Sequence, residues 1–176
     1  MPKPTLYTIG HSNRTAQEFL AMLQAHGIKK VIDIRTIPKS RHNPQFNQPE
    51  LRNSLKRGHI RYTYMKKLGG LRHAHKDSIN DGWRNASFRG FADYMQTDDF
   101  DAGLQRLEKE AQKQPIAIMC AEAVPWRCHR SMIADALTVI GWNVRHIMSR
   151  KTANLHKRTS FLRVQRGKLT YPASAF

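Results

Sequence analysis

Both cysteines of this 176-residue chain, Cys120 and Cys128, fall in one stretch, MCAEAVPWRCHR from Met119 to Arg130, together with Glu122, His129 and Arg130. The stretch follows a strand-like apolar run, Ile116-Ala117-Ile118, and leads into a helix-like run from Ser131 to Ile140. A strand end, a short loop and a helix start set reactive side chains beside backbone N–H groups that no helical turn satisfies. That combination suits an anion-binding or catalytic site. A thiol at Cys128 would feel the positive end of the helix dipole and the cations Arg127 and Arg130. Both favour a thiolate, and with it a nucleophile or a metal ligand. The competing reading of Cys128 is a small buried residue at a helix start. Cys120 closes an apolar strand and reads first as core. Glu122 is a candidate general base, or an ion-pair partner for Arg127 or Arg130. The seven residues between the cysteines match no familiar zinc spacing. There is no Walker loop and no Gly-x-Gly-x-x-Gly.

The elements that must position these groups read as strands alternating with helices. Leu6–Ile9, Val31–Ile34, Ile60–Met65, Pro115–Cys120 and Val144–Ile147 have strand character. Helices are expected after Thr15, from Pro49 to Arg57, from Phe88 to Met95, after Asp98-Asp99 and from His129 to Ile140. Lys66 to Ala86 has little periodicity and reads as a long loop. The alternation predicts an α/β fold: a single domain with a largely parallel sheet flanked by helices, in Rossmann-like layering. The domain is expected over residues 1–149, with a basic extension packed on it over 150–176. In such sheets ligands bind beyond the carboxyl ends of the strands. The first strand is followed by Gly10-His11-Ser12-Asn13, and the second contains Asp33 and runs into Arg35. His11 is a candidate acid/base group. Ser12, Arg35, Arg41, His129 and Arg130 are candidate anion ligands. These groups are expected to line one cleft.

Thirty Lys+Arg against thirteen Asp+Glu give a net charge of +17 and a pI near 10.5. Such a field attracts polyanions, with colloidal solubility as the plain alternative. From Ile34 to Lys76 eleven Lys/Arg face only Glu50, with Phe46, Tyr62, Tyr64, His42 and His59 interleaved. Aromatics in a basic strip suit base stacking, although tyrosines on a strand more often turn into the core. No apolar run is long enough for a membrane span and no signal-peptide core is visible, so a cytoplasmic protein is expected. Two cysteines are too few for a secreted disulfide scaffold. No cofactor and no metal site can be assigned, and the sequence leaves the oligomeric state open.

Taken in order, Tyr7-Thr8-Ile9-Gly10-His11-Ser12, Asp33-Ile34-Arg35 with Ser40-Arg41, Leu68-Gly69-Gly70, Phe88-Arg89-Gly90-Phe91-Ala92-Asp93-Tyr94-Met95, and Cys120-Ala121-Glu122 with Cys128-His129-Arg130 resemble the bacterial and archaeal family called domain of unknown function 488. The resemblance runs from about Leu6 to Ile147. It implies a single-domain α/β fold whose segments meet in one site, and it implies no named reaction. The functional expectation is an enzyme acting on an anionic substrate, nucleotide or nucleic acid. His11, Glu122 or Cys128 would do proton or nucleophile work and the arginines would hold phosphate. A non-catalytic nucleic-acid-binding module is the alternative, and a thiol-based metal or redox site is the third reading.

Overall fold

A computed structural model describes residues 3–173 of the chain. Five parallel strands carry the fold: β1 (Thr5–Gly10), β2 (Lys30–Asp33), β3 (Arg61–Tyr64), β4 (Ile116–Cys120) and β5 (Asn143–Ile147). A sixth, β6 (Ala153–Leu155), adds antiparallel to β5, giving the order β3-β2-β4-β1-β5-β6. The central β4 is buried along its whole length, as a strand covered on both faces must be.

Helices α1 (Ala16–Ala25) and α2 (Gln48–Arg57) cover one face. Their Phe19, Met22, Leu23, Leu51 and Leu55 pack on Ile9, Val31, Ala117, Met119 and Ile147. Helices α3 (Ala86–Tyr94), α4 (Asp98–Lys113) and α5 (Arg130–Val139) cover the other. Their Phe91, Phe100, Leu107, Met132 and Ile133 pack on Leu6, Ile32, Ile116, Ile118 and Val144. The helix starts are capped as the sequence predicts for α1, where the Thr15 hydroxyl accepts from the Glu18 N–H at 3.0 Å. Asn85 and Thr97 cap α3 and α4 in the same way. A positive φ of 70° at Gly27 ends the first helical unit.

Residues after β5 are held by one carboxylate. Asp135, on α5 and fully buried, accepts from His156, Thr159 and Tyr171. A hairpin of β7 (Arg163–Gln165) and β8 (Lys168–Thr170) brings Leu169 and Tyr171 into the core. The loop from Lys66 to Ala86 is held by Asp93, which accepts from the His75 N–H, Ser78 and Asn80. These bonds lower the Asp93 pKa although burial opposes them.

The topology has a switch point, the place where open α/β sheets commonly bind ligands. β1 and β4 are neighbours, yet the chain leaves β1 toward α1 on one face and leaves β4 toward α5 on the other. The two loops diverge to opposite faces beyond the carboxyl ends of these strands, which makes this edge the topological switch point.

Candidate functional site at the carboxyl edge of β1 and β4

Past the strand ends the ladder continues for two more bonds. His11 N–H donates to the Cys120 carbonyl and Ser12 N–H to the Ala121 carbonyl, each at 2.9 Å. Ser12 takes a left-handed φ of 51° to make the turn. Gly10 is required because the Glu122 carbonyl lies on it. A Cβ there would stand 1.6 Å from that oxygen and 2.9 Å from Arg130 Nη1.

His11 turns toward the α1–α2 face. Its ring stacks on Phe46 at 4.4 Å and is 2% exposed. Nδ1 lies 2.8 Å from the Ser12 carbonyl. A carbonyl only accepts, so Nδ1 carries the proton and the neutral ring keeps a lone pair on Nε2. That Nε2 is buried and has no partner among the described residues. Burial is the main cause that depresses the His11 pKa, and Arg35 adds to it.

On the same face, Asp33 and Arg35 form a bidentate pair. Nε donates to Oδ1 at 2.9 Å and Nη2 to Oδ2 at 2.8 Å. Tyr62 donates to the same carboxylate at 2.6 Å, and Arg35 Nη1 to the Phe46 carbonyl at 2.8 Å. Arg35 thus fixes the loop carrying the ring on which His11 lies, and its guanidinium is engaged by protein on all three nitrogens. Arg41 is exposed, farther along this loop.

Arg130, Cys120, Cys128 and His129 belong to the other face. Arg130 is 0% exposed. Its Nη2 donates to the Ala123 carbonyl at 2.9 Å, while Nε and Nη1 are buried with no partner among the described residues. Glu122 is exposed and makes no ion pair among those residues. His129 Nε2 donates to the Leu68 carbonyl at 2.9 Å, and Gly70 lies against its ring, where a Cβ would come within 2.5 Å of Nδ1. This accounts for Leu68-Gly69-Gly70 in physical terms. Burial, chiefly, lowers the His129 pKa to about 4.

The two cysteines meet. Cys128 is 6% exposed and Cys120 3%. Arg130 N–H donates to Cys128 Sγ at 3.4 Å. Burial pushes the Cys128 thiol well above its usual range, and hydrogen bonding to Cys120 adds to this. Cys120 moves the other way: burial raises it, but the bond from Cys128 and the charge of Arg130 outweigh burial and leave it lowered. Cys128 is thus buried at the helix start, as the competing reading had it. Desolvation there wins over the dipole and over Arg130, whose charge lowers both thiols.

The expectation of a single cleft also needs correction. His11 with Asp33 and Arg35 approaches the edge from one face, and Cys120, Cys128, His129 and Arg130 approach from the other. What they share is the carboxyl edge of β1 and β4. Sequence reasoning passed over a second buried polar group on the Arg130 face: Thr8, Asp135, His146 and His156, joined by hydrogen bonds. Its signal was present, since Asp135 and His146 each interrupt an apolar run. Among the described residues no group of three or more His, Cys, Asp or Glu is placed to hold a metal ion. None of their helices is long and apolar enough to cross a membrane.

Fold and site together define a three-layered α/β protein with buried, unpartnered polar groups at its topological switch point. The model of the family described as Domain of unknown function DUF488 matches residues 15–137, and the chain belongs to that family. No curated protein and no solved structure matches it.

Proposed function

We propose that this chain is an enzyme acting on an anionic substrate of the nucleotide or nucleic-acid class, held at the carboxyl edge of β1 and β4. Arg130 is the observation that carries this reading. A fully buried guanidinium without a carboxylate partner costs several kcal/mol of desolvation. Two of its donors, Nε and Nη1, have no acceptor among the described residues. A phosphate or sulfate oxygen can accept a charge-assisted hydrogen bond from such a donor. Cys120 and Cys128 are the proposed thiol nucleophiles on the Arg130 face, and His11, with its free lone pair, is the proposed base on the other face. Glu122, Ser12 and His129 follow the same strand ends and are proposed to complete the site, with Arg41, on the loop after β2, as a further proposed anion ligand. Sulfate is the simplest probe. It should raise the unfolding midpoint of the wild-type protein in proportion to the logarithm of its concentration. Arg130→Gln should bind it at least tenfold more weakly, by calorimetry. Equal binding by both proteins would remove Arg130 from the site.

A second reading, a nucleic-acid-binding module, is favoured by a different place. A cavity of about 540 Å³ is lined by Lys30, Arg52, Lys56, His59, Ile60, Arg61 and Tyr62. The Arg52 guanidinium lies 5.2 Å over the Tyr62 ring. Lys30 and Arg61 begin their strands, so this groove is at the amino edge of the sheet, opposite Arg130. Binding there would track a phosphate backbone without using the carboxyl-edge site.

A further inference from the structure

The hydrogen-bonded chain from Asp135 to Thr8 has a single polarity. A carboxylate only accepts, so His156 Nε2 donates to Asp135 Oδ1, at 2.7 Å. A neutral His156 then offers Nδ1 as acceptor, and His146 Nε2 donates to it at 2.8 Å. His146 Nδ1 is left with a lone pair, which the Thr8 hydroxyl meets at 2.6 Å. The other oxygen of Asp135 is held by Thr159 Oγ1 at 2.7 Å and Tyr171 Oη at 2.8 Å. All the groups needed for directed proton transfer are in place, and one end is a fixed carboxylate.

The inner end of this chain reaches the Arg130 side. Thr8 and Gly10 are alternate residues of β1 and face the same way, and Arg130 Nη1 stands over Gly10. The outer end reaches solvent. His146 and His156 line a cavity of about 690 Å³ with Pro125, Trp126, Leu155 and Lys157, and Trp126 there is 67% exposed.

We propose that Asp135, His156, His146 and Thr8 form a proton relay that serves an anion bound by Arg130 and stores one proton on His156 against Asp135. The proposal rests on the Arg130 site argued above. In the forward direction a protic group beside Arg130 gives its proton to Thr8 Oγ1. Thr8 passes its own hydroxyl proton to His146 Nδ1, and His146 passes its Nε2 proton to His156 Nδ1. No bond between heavy atoms forms or breaks. The products are an imidazolium on His156 touching the Asp135 carboxylate and a substrate one charge more negative beside Arg130. His146 is faced by Thr8 from β1, by Arg130 from α5 and by His156. It conducts rather than stores, because burial first, then His156 and Arg130, hold its pKa down to about 3. His156 is faced by Asp135 from α5 and by His146, with Lys157 on the cavity rim, so the stored charge has its counter-ion within hydrogen-bond reach.

Sulfate, which brings no proton at neutral pH, separates the two claims. Bound beside the relay, it should draw one proton from solvent. Calorimetry at pH 8 in buffers of different ionisation enthalpy should show proton uptake on sulfate binding. Affinity should rise by more than about twofold per pH unit lowered from pH 8 to pH 7. Nitrogen-15 spectra of the wild-type imidazoles should place the proton on His156 and leave His146 neutral. His156→Asn should take up none, with sulfate affinity changing less than about twofold per pH unit. Absent uptake in the wild type, uptake that survives in His156→Asn, or a proton found on another histidine overturns the relay while leaving the anion site intact. A clamp that only anchors the residues after β5 predicts the first of these. Sulfate that binds to neither wild type nor Arg130→Gln, or to both alike, overturns the anion site and the relay with it.

Discussion

Gly10 is where the site is most tightly specified by a single residue. It ends β1, and the backbone of the Cys120–Cys128 loop folds directly onto it. No side chain fits between Gly10 and the Glu122 carbonyl, so Gly10→Ala must push the loop off the sheet and displace Arg130. The expected cost is about 3 kcal/mol in urea unfolding, at the upper end for forced overpacking. A loss under about 0.5 kcal/mol would show that the loop moves freely. In the sequence, Gly10 was legible as a strand terminator next to a histidine. Its reason was not, because the atom it avoids belongs to a residue distant in the chain. Arg130 was legible as a candidate ligand, while its lack of a carboxylate partner was not. Charge pairing is a property of three-dimensional neighbours, and Glu122, the natural partner by sequence, points its side chain to solvent.

At the scale of elements, the Asp33–Arg35 pair ties the end of β2 to the Phe46 loop and to Tyr62 of β3. Breaking it leaves a buried guanidinium without its counter-charge. Asp33→Asn should therefore cost about 3–5 kcal/mol. Tyr62→Phe, which removes one hydrogen bond, should cost about 1 kcal/mol. Comparable losses for the two variants would mean that Arg35 finds another acceptor. The five parallel strands and the helices between them were legible from apolar runs, caps and glycine stops, because each is specified locally. The strands after β5 were not. β7 is exposed at every residue and β6 at all but Ala153, so neither leaves an alternating pattern to read. The division of the site between two faces was equally hidden. It follows from β4 inserting between β1 and β2, a pairing that no local signal announces.

For the molecule as a whole, two buried imidazoles set the acid limit of stability. The folded pKa of His129 is lowered to about 4 and that of His146 to about 3, from an ordinary 6.5. The unfolded chain thus binds more protons than the folded one in this range. Stability from these groups is complete above about pH 6.5 and lost as pH falls toward 4. The slope is about 1.4 kcal/mol per pH unit for each histidine, or about 2.8 for both. Urea unfolding between pH 6 and 4.5 should show it, and His146→Asn should halve it. An unchanged free energy across that interval would mean that both rings ionise inside the folded protein. The net charge of +17 makes a second global prediction. Nucleic-acid affinity should fall steeply with salt, and replacing Arg52, Lys56, Arg57 and Arg61 together should flatten the logarithmic slope by up to about four. Binding that ignores salt, or a slope that the four replacements leave unchanged, would exclude the amino-edge groove. One further consequence concerns the order of synthesis. Asp135 leaves the ribosome before His156, Thr159 and Tyr171, the last of them 36 positions later. Until those residues arrive, a carboxylate destined for the interior has none of these donors, and α5 cannot close over the sheet without stranding it. A chain exposed past β5 but short of Tyr171 would hold five paired strands and an unfinished wall, and would offer itself to chaperones and proteases rather than to substrate.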